Sequence, residues 1–226
     1  MKAPLVLNSL KTGSLFSGYG GLDIGVKDAL AKIGIRTEPA WFAESEEAPS
    51  RILAHNFSGV PNLGDVTKIN WGTVARVPIL TAGFPCQDVS ASGLRLGLRP
   101  GTRSGLWSEV VRAIEALQPR LVVIENVKGI ASASAHSNVE PCPWCLGDEP
   151  NQSSLRALGA VLADLADLGF DAVWQGLRAS DIGFAHQRFR FFILAWPADA
   201  TSERRGEGSP EPSWFIGRSD VAASSG

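Results

Sequence analysis

The apolar run Val77-Pro78-Ile79-Leu80-Thr81-Ala82 stops at Gly83-Phe84-Pro85-Cys86-Gln87, and this junction constrains the fold more than any other stretch. The run reads as a short buried strand. In an open α/β sheet the residue just past a strand's carboxyl end faces the ligand crevice, so Cys86 stands where a nucleophile belongs. A second run, Leu121-Val122-Val123-Ile124, ends in Glu125-Asn126-Val127. A thiol and a carboxylate therefore leave the tips of two predicted strands, a pairing suited to covalent catalysis assisted by proton transfer.

Short apolar runs alternate with amphipathic stretches along the chain, the signature of an α/β fold. Lys11 to Phe16 is the first predicted strand and Gly21 to Ile33 the first helix, ended by Gly34. Pro39 to Ala43 is strand two and Ala48 to Asn56 helix two. A third strand is expected to end near Asp65. Val77 to Ala82 and Leu121 to Glu125 are further strands, with a helix over Ser108 to Leu117 between them, stopped by Pro119. Leu155, Leu158, Val161, Leu162, Leu165 and Leu168 recur at helical spacing, with Gly169 as C-cap. Phe191 to Trp196 is a final strand closed by Pro197. Residues 1–197 are expected to form one catalytic domain, with an inserted loop at about 131–152. Residues 198–226, rich in Ser, Gly, Glu and Arg, are expected to be a flexible tail or a linker whose next domain is absent.

Composition narrows the class. With 226 residues, 44% apolar and 19% charged, the chain has the make-up of a globular protein with one sizeable core. No apolar run approaches the ~20 residues of a membrane span, and the first residues do not look like a secretory signal. Three cysteines without disulfide-like spacing point to a reducing, cytoplasmic setting. A formal charge of -2 gives no global pull toward nucleic acid, so such binding must come from local patches.

Phe16-Ser17-Gly18-Tyr19-Gly20-Gly21 lies between the first strand and its helix, where glycines permit a tight turn and close approach to a ligand. Glu44 follows strand two, placed to bind ribose hydroxyls. The loop is not Gly-x-Gly-x-x-Gly, and no Gly-x-x-x-x-Gly-Lys-Ser/Thr occurs, so a pyrophosphate or triphosphate is disfavoured. An adenosine carrying something other than phosphate fits better, and Asp65 could accept from its amino group. Residues 92–105 carry four glycines, three arginines and no acid, a candidate lid that meets phosphates. On an extended segment Arg188 and Arg190 would point the same way. The single Cys142-Pro143-Trp144-Cys145 lacks the four ligands of a structural zinc site, so no metal is assigned.

Taken in order, these motifs resemble those of the DNA cytosine-5 methyltransferase family over about Thr12 to Trp196. The resemblance implies a Rossmann-like fold dependent on S-adenosylmethionine, with a central mostly parallel sheet and helices on both faces. It implies cofactor contacts from Phe16, Ser17, Gly18, Gly20, Gly21, Glu44, Asp65 and Pro85. Cys86 resembles the family's nucleophile, Glu125 its proton donor, and Arg188 and Arg190 its paired arginines; Thr102-Arg103-Ser104-Gly105-Leu106-Trp107 resembles the helix start after the nucleophile. The implied reaction is methylation at carbon 5 of a cytosine flipped out of double-stranded DNA, through a Cys86 adduct at carbon 6, in a prokaryotic or phage-encoded enzyme of the restriction-modification kind. His186 stands where the family often has glutamine, and the Cys142–Cys145 insert has no counterpart in the core pattern. A recognition domain and a final motif are not seen, so a partner chain or downstream segment is expected.

Other readings remain at this point: an inactive fragment or half of a split enzyme, the same chemistry on tRNA, an amino-directed DNA methyltransferase, or a thiol redox protein. The third needs an Asp/Asn-Pro-Pro-Tyr/Phe motif that the sequence lacks. The fourth needs a partner at CxxC spacing from Cys86, also lacking.

Overall fold

The computed structural model describes residues 9–85, 106–127, 130, 134–135 and 155–199. In chain order the elements are β1 (Leu10–Leu15), α1 (Gly21–Lys32), β2 (Thr37–Ala43), α2 (Glu47–Asn56), β3 (Ile79–Ala82), α3 (Trp107–Leu117), β4 (Leu121–Val127), β5 (Ser134–Ala135), β6 (Leu155–Arg156), α4 (Ala157–Asp167), β7 (Phe170–Arg178) and β8 (Phe189–Pro197). Six strands form one sheet in the order β2-β1-β3-β4-β8-β7, and β5 pairs with β6 alone. The first four are parallel; β8 runs antiparallel to β4, and β7 antiparallel to β8.

Every residue of β3 is buried, as expected of a strand covered on both faces. On one face α1 sets Val26, Leu22 and Leu30 against Ile79, Val123 and Leu121. On the other, α3 and α4 bring Val110, Ile114, Val161 and Leu165 into the main core with Leu80, Val122, Ile124 and Ile193. Helix α3 is the most strongly amphipathic: Val110, Ala113, Ile114 and Leu117 fall on its buried side at spacings of three and four. The helix ends follow the sequence signals. Gly34 and Gly169 adopt φ of 81° and 79° just past α1 and α4, as helix-terminating glycines do.

Two expectations are corrected. No strand ends at Asp65. There Asn62 makes a single parallel bridge to Phe42, and a 3-10 turn, Val66–Lys68, begins at once. The segment before the last predicted strand also holds β7, a nine-residue strand not expected from the sequence, while β8 starts two residues earlier than read and runs through Pro197. The sheet reverses between β1 and β3: their neighbours β2 and β4 lie to opposite sides. The crevice beyond the carboxyl ends at that reversal is where open α/β sheets bind ligands.

Candidate active site

The crevice is built from four strand tips. β1 ends at Leu15, and Phe16 turns the chain with φ 53°; Gly18 and Gly20 follow with φ of 53° and 79°. Gly20 caps α1 without any side-chain bond. A Cβ on it would lie 2.9 Å from the Phe57 ring, so that position favours glycine twice over. Ser17 is buried. Its hydroxyl donates to the Ser14 carbonyl at 3.1 Å and accepts from the Ala43 amide at 3.3 Å, stitching the tips of β1 and β2.

Beyond β2, Glu44 directs both carboxylate oxygens to the backbone. Oε2 accepts from the Gly18 amide at 2.8 Å and Oε1 from the Glu46 amide at 2.8 Å. The glycine loop is thus tied to the tip of the neighbouring strand through one acid. Asp65 caps its own turn: Oδ1 accepts from the Thr67 hydroxyl at 2.8 Å and the Thr67 amide at 3.0 Å, and Lys68 stands 3.3 Å from Oδ2. The Thr67 hydrogen bonds, aided by Lys68, hold the Asp65 carboxyl below its usual pKa, so it is anionic at neutral pH.

The ends of β1, β2 and β3 and the turn at Asp65 enclose a cavity of about 540 Å³. Of the sequence-predicted cofactor residues, Phe16, Gly18, Glu44, Asp65 and Pro85 line it; Ser17, Gly20 and Gly21 are not among its lining and serve the turn and helix start instead. The lining also includes residues that sequence reasoning missed: Tyr19, Ser45, Glu46, Pro49, Val66, Gly83 and Leu106. Tyr19, exposed within the glycine loop, was the most findable, since an aromatic among glycines has little to pack on locally. Among the described residues, the charged ones that line it are Glu44, Glu46 and Asp65, all acidic. Those carboxylates suit a cationic, hydroxyl-bearing ligand and fit S-adenosylmethionine, whose sulfonium and ammonium are both positive.

Of the two chemistry-bearing positions, Glu125 is described and stands beside Gly83. Cys86 and Gln87 fall outside the described residues, as do 92–105, Cys142 and Cys145; Pro85, just before the thiol, is described. The root of that loop is held from three directions. The Gly83 amide donates to the Leu15 carbonyl at 3.2 Å, the buried Asn126 amide donates to the Phe84 carbonyl at 3.2 Å, and the Phe84 ring packs on Trp107 with centroids 5.3 Å apart. The Trp107 indole N–H in turn donates to Asp164 of α4 at 2.6 Å. Burial pushes the Asp164 carboxyl up from its ordinary pKa, with this hydrogen bond acting the other way.

Glu125 and Arg190 meet. Nε of Arg190 lies 2.6 Å from Oε1 of Glu125, both side chains about one-quarter exposed. The sheet explains the contact: Val127 faces Arg190 and Glu125 faces Phe192 across β4 and β8, so the two charged residues are diagonal neighbours on one face. The second oxygen of Glu125 faces Gly83, 3.9 Å from where a Cβ on that glycine would stand. Arg188 is exposed and precedes β8; the structure brings Arg190, and not Arg188, to the carboxylate.

A family model described as C-5 cytosine-specific DNA methylase matches residues 10–213. The chain belongs to that family. The match runs past Pro197, beyond the end expected for the domain. Among curated proteins the chain is 31% identical over 187 residues to the Type II methyltransferase M.NlaIV of Neisseria lactamica, covering 83% of this chain and 41% of that one. It is 31% identical over 222 residues to a DNA N-6-adenine-methyltransferase of Escherichia phage P1, covering 84% and 29%. The chain thus spans less than half the length of these relatives. Among solved structures, the S. pombe Dnmt2 methyltransferase superposes with a TM-score of 0.60 at 15% identity, over 89% of this chain and 57% of that one; the likeness establishes the α/β fold. Among the described residues no helix is long and apolar enough to cross a membrane.

Proposed function

We propose that this member of the family methylates carbon 5 of cytosine in DNA, with Cys86 as nucleophile and S-adenosylmethionine as methyl donor. The observation that carries the reading is the Glu125 oxygen that faces Gly83, three residues before Cys86, beside a carboxylate-lined cavity. When bound, S-adenosylmethionine supplies an electrophilic methyl group. Phe16, Gly18, Glu44, Asp65 and Pro85 would hold it, with Glu44 as hydroxyl acceptor and Asp65 as acceptor for an amino group. Gly83 and Pro85 line that cavity, and Cys86 follows Pro85 directly in the sequence.

Carbon 5 of cytosine is a poor nucleophile. Bond formation between the Cys86 thiolate and carbon 6 places an enamine across the ring, and carbon 5 then has the electron density to be methylated. In the role of general acid, Glu125 gives a hydrogen bond to ring nitrogen 3 and stabilises the charge that develops there. Arg190, holding Oε1, leaves Oε2 for that contact. A water molecule takes the carbon 5 proton, the C–H electron pair reforms the double bond between carbons 5 and 6, and the thiolate leaves carbon 6, restoring the aromatic ring. The cytosine must leave the duplex to reach such a pocket, at a cost of a few kcal/mol. The arginines of residues 92–105 and the exposed Arg188 are suited to phosphate contacts that offset this cost.

The phage relative named for adenine chemistry does not redirect the reading, because the Asp/Asn-Pro-Pro-Tyr/Phe motif is absent. Nor does the Dnmt2 likeness, which at 15% identity speaks for the fold alone. We place the enzyme in the cytoplasm of a prokaryote or of a phage host, acting with a recognition module on the same or another polypeptide. The test is incubation with duplex DNA containing 5-fluorocytosine in the presence of S-adenosylmethionine, with and without the native downstream sequence, and in parallel with tRNA. Fluorine at carbon 5 blocks the final elimination, so a covalent band on a denaturing gel is expected with DNA. Cys86→Ser should lose the band and keep cofactor binding. A band that persists in the Cys86→Ser protein, or forms only with tRNA, overturns the assignment.

A further inference from the structure

Asn62 lies outside every motif that defined the site, yet its side chain uses all of its hydrogen-bonding capacity on cavity-forming segments. Oδ1 accepts from the Glu44 amide at 3.0 Å and from the Gly64 amide at 3.1 Å. Nδ2 donates to the Glu44 carbonyl at 3.0 Å and to the Ser50 hydroxyl at 3.0 Å. An asparagine amide offers two donors and two acceptor lone pairs, and here each meets a protein group. The residue is exposed, so water could satisfy the same atoms. What the protein gains from four ordered bonds at the surface is geometry more than stability.

That geometry is specific. Glu44 is held by both its amide and its carbonyl, as a strand residue would be, although β2 has already ended at Ala43. Asn62 extends the strand tip by one residue, its amide standing in for the missing neighbour. Phe42 and Leu63 start the pairing through the backbone, with the Phe42 amide donating to Pro61 at 2.9 Å and the Leu63 amide to Phe42 at 2.7 Å. The side chain completes it. The same oxygen fixes Gly64, whose φ of 78° turns the chain into Asp65. Glu44 passes the constraint on through its carboxylate to the Gly18 amide. One side chain thus sets the spacing between the two acids of the cavity and, at one remove, the position of the glycine loop.

We infer that Asn62 is a positioning residue for the cofactor pocket, fixing Glu44 relative to Asp65 without itself lining the cavity. This rests on the reading of that cavity as the S-adenosylmethionine site. The test is calorimetric titration of the full 226-residue chain with S-adenosylhomocysteine, which needs no DNA and no turnover. The proteins are wild type, Asn62→Ala, Asn62→Asp, Glu44→Ala and the Asn62→Ala/Glu44→Ala double variant, each checked for native circular dichroism at the titration temperature.

Asn62→Ala should weaken binding tenfold or more. Asn62→Asp keeps the acceptor and loses the donors, so it should fall between, and it carries the test should the alanine variant not fold. If Asn62 acts through Glu44, the double variant should lose far less than the product of the two single losses. An unchanged dissociation constant in a folded Asn62 variant, or losses that simply multiply, would overturn the inference and leave the pocket standing. Failure of the wild-type chain to bind would instead remove the pocket reading, and the inference with it.

Discussion

Asp23 is a buried acid that the proposed chemistry does not use, and its removal has a calculable cost. It sits in the first turn of α1, directly after the glycine loop. Its Oδ2 accepts from the Ser14 hydroxyl at 2.9 Å and its Oδ1 from the Thr81 hydroxyl at 2.7 Å. The residue as a whole keeps some exposure, but its carboxyl lies against the sheet, and burial raises its pKa above the ordinary 3.8 despite both hydrogen bonds. Ser14 and Thr81 are 3% and 0% exposed. In Asp23→Ala both hydroxyls lose their acceptor at about 1–3 kcal/mol each. Thr81 can turn to the Gly13 carbonyl at 3.4 Å, a partial rescue, and the desolvation cost of the carboxylate is relieved. A net loss of about 2–4 kcal/mol is expected. Asp23→Asn retains an acceptor and loses the charge, so it should stay close to wild type in acid. The sign of the pH dependence follows from the raised pKa. The folded state binds this proton more tightly, so the contribution of Asp23 to stability is fully present below about pH 4 and falls as pH climbs through its folded-state pKa. The Asn variant lacks this slope and should gain on wild type from pH 4 toward 8. Urea denaturation at pH steps across that range measures the difference. An Asp23→Ala loss below about 0.5 kcal/mol, or an Asn-minus-wild-type difference that is flat or falls with pH, would refute the account.

Three further outcomes are expected. Gly13→Ala would drive a Cβ into the ring of Trp41, which is 2% exposed and anchored by its indole N–H to the Ala75 carbonyl at 3.0 Å; a loss at or above the usual overpacking cost of about 1–3 kcal/mol should appear in the urea midpoint. Asp164→Leu leaves the Trp107 indole N–H without its acceptor beneath the Phe84 ring, at about 1–3 kcal/mol, and should alter the near-ultraviolet circular dichroism of that aromatic pair; an unchanged spectrum would mean the contact does not order the loop root. Arg190→Gln removes a partly exposed ion pair, so stability should change by under about 1 kcal/mol, while adduct formation with 5-fluorocytosine DNA should slow about tenfold or more; equal small effects on both would deny Arg190 a part in orienting Glu125.

The parallel half of the sheet was legible because its strands are short, apolar and punctuated. Ile79–Ala82 and Leu121–Ile124 could hardly be anything else, and Gly34 and Gly169 mark helix ends by the φ that only glycine adopts freely. The strand β7 was not legible. It lies at the sheet edge with five exposed positions, and its Asp171, Gln175, Gly176 and Arg178 dilute any period-two alternation; its pairing partner β8, not its own composition, makes it a strand. At the site, the motifs pointed to Glu44 and Glu125, and the structure puts one just past β2 and the other near the end of β4. The assignments of Ser17, Gly20 and Gly21 to the cavity followed from the loop as a whole, whereas the backbone turns them to structural work. Asn62 was invisible because its role depends on which two loops happen to face each other, a property of the folded chain that no local spacing encodes.

The reversal of direction at β8 has a consequence for how the site keeps its accuracy. A strand running parallel to β4 would deliver its last residues to the crevice and continue from there into a loop, as β1, β2 and β3 do. Because β8 runs the other way, it is its first residues that arrive, and Arg190 is held by ladder pairing to Val127 and Leu177 on both sides. The guanidinium is therefore indexed by a ruler with two-residue graduations. Deletion of one residue within β8 would turn Arg190 to the opposite face of the sheet, whereas residues added between β7 and β8, at 179–188, would leave it where it is. Length variation in that connection is free to reshape the rim of the crevice while the charge that faces Glu125 stays in register.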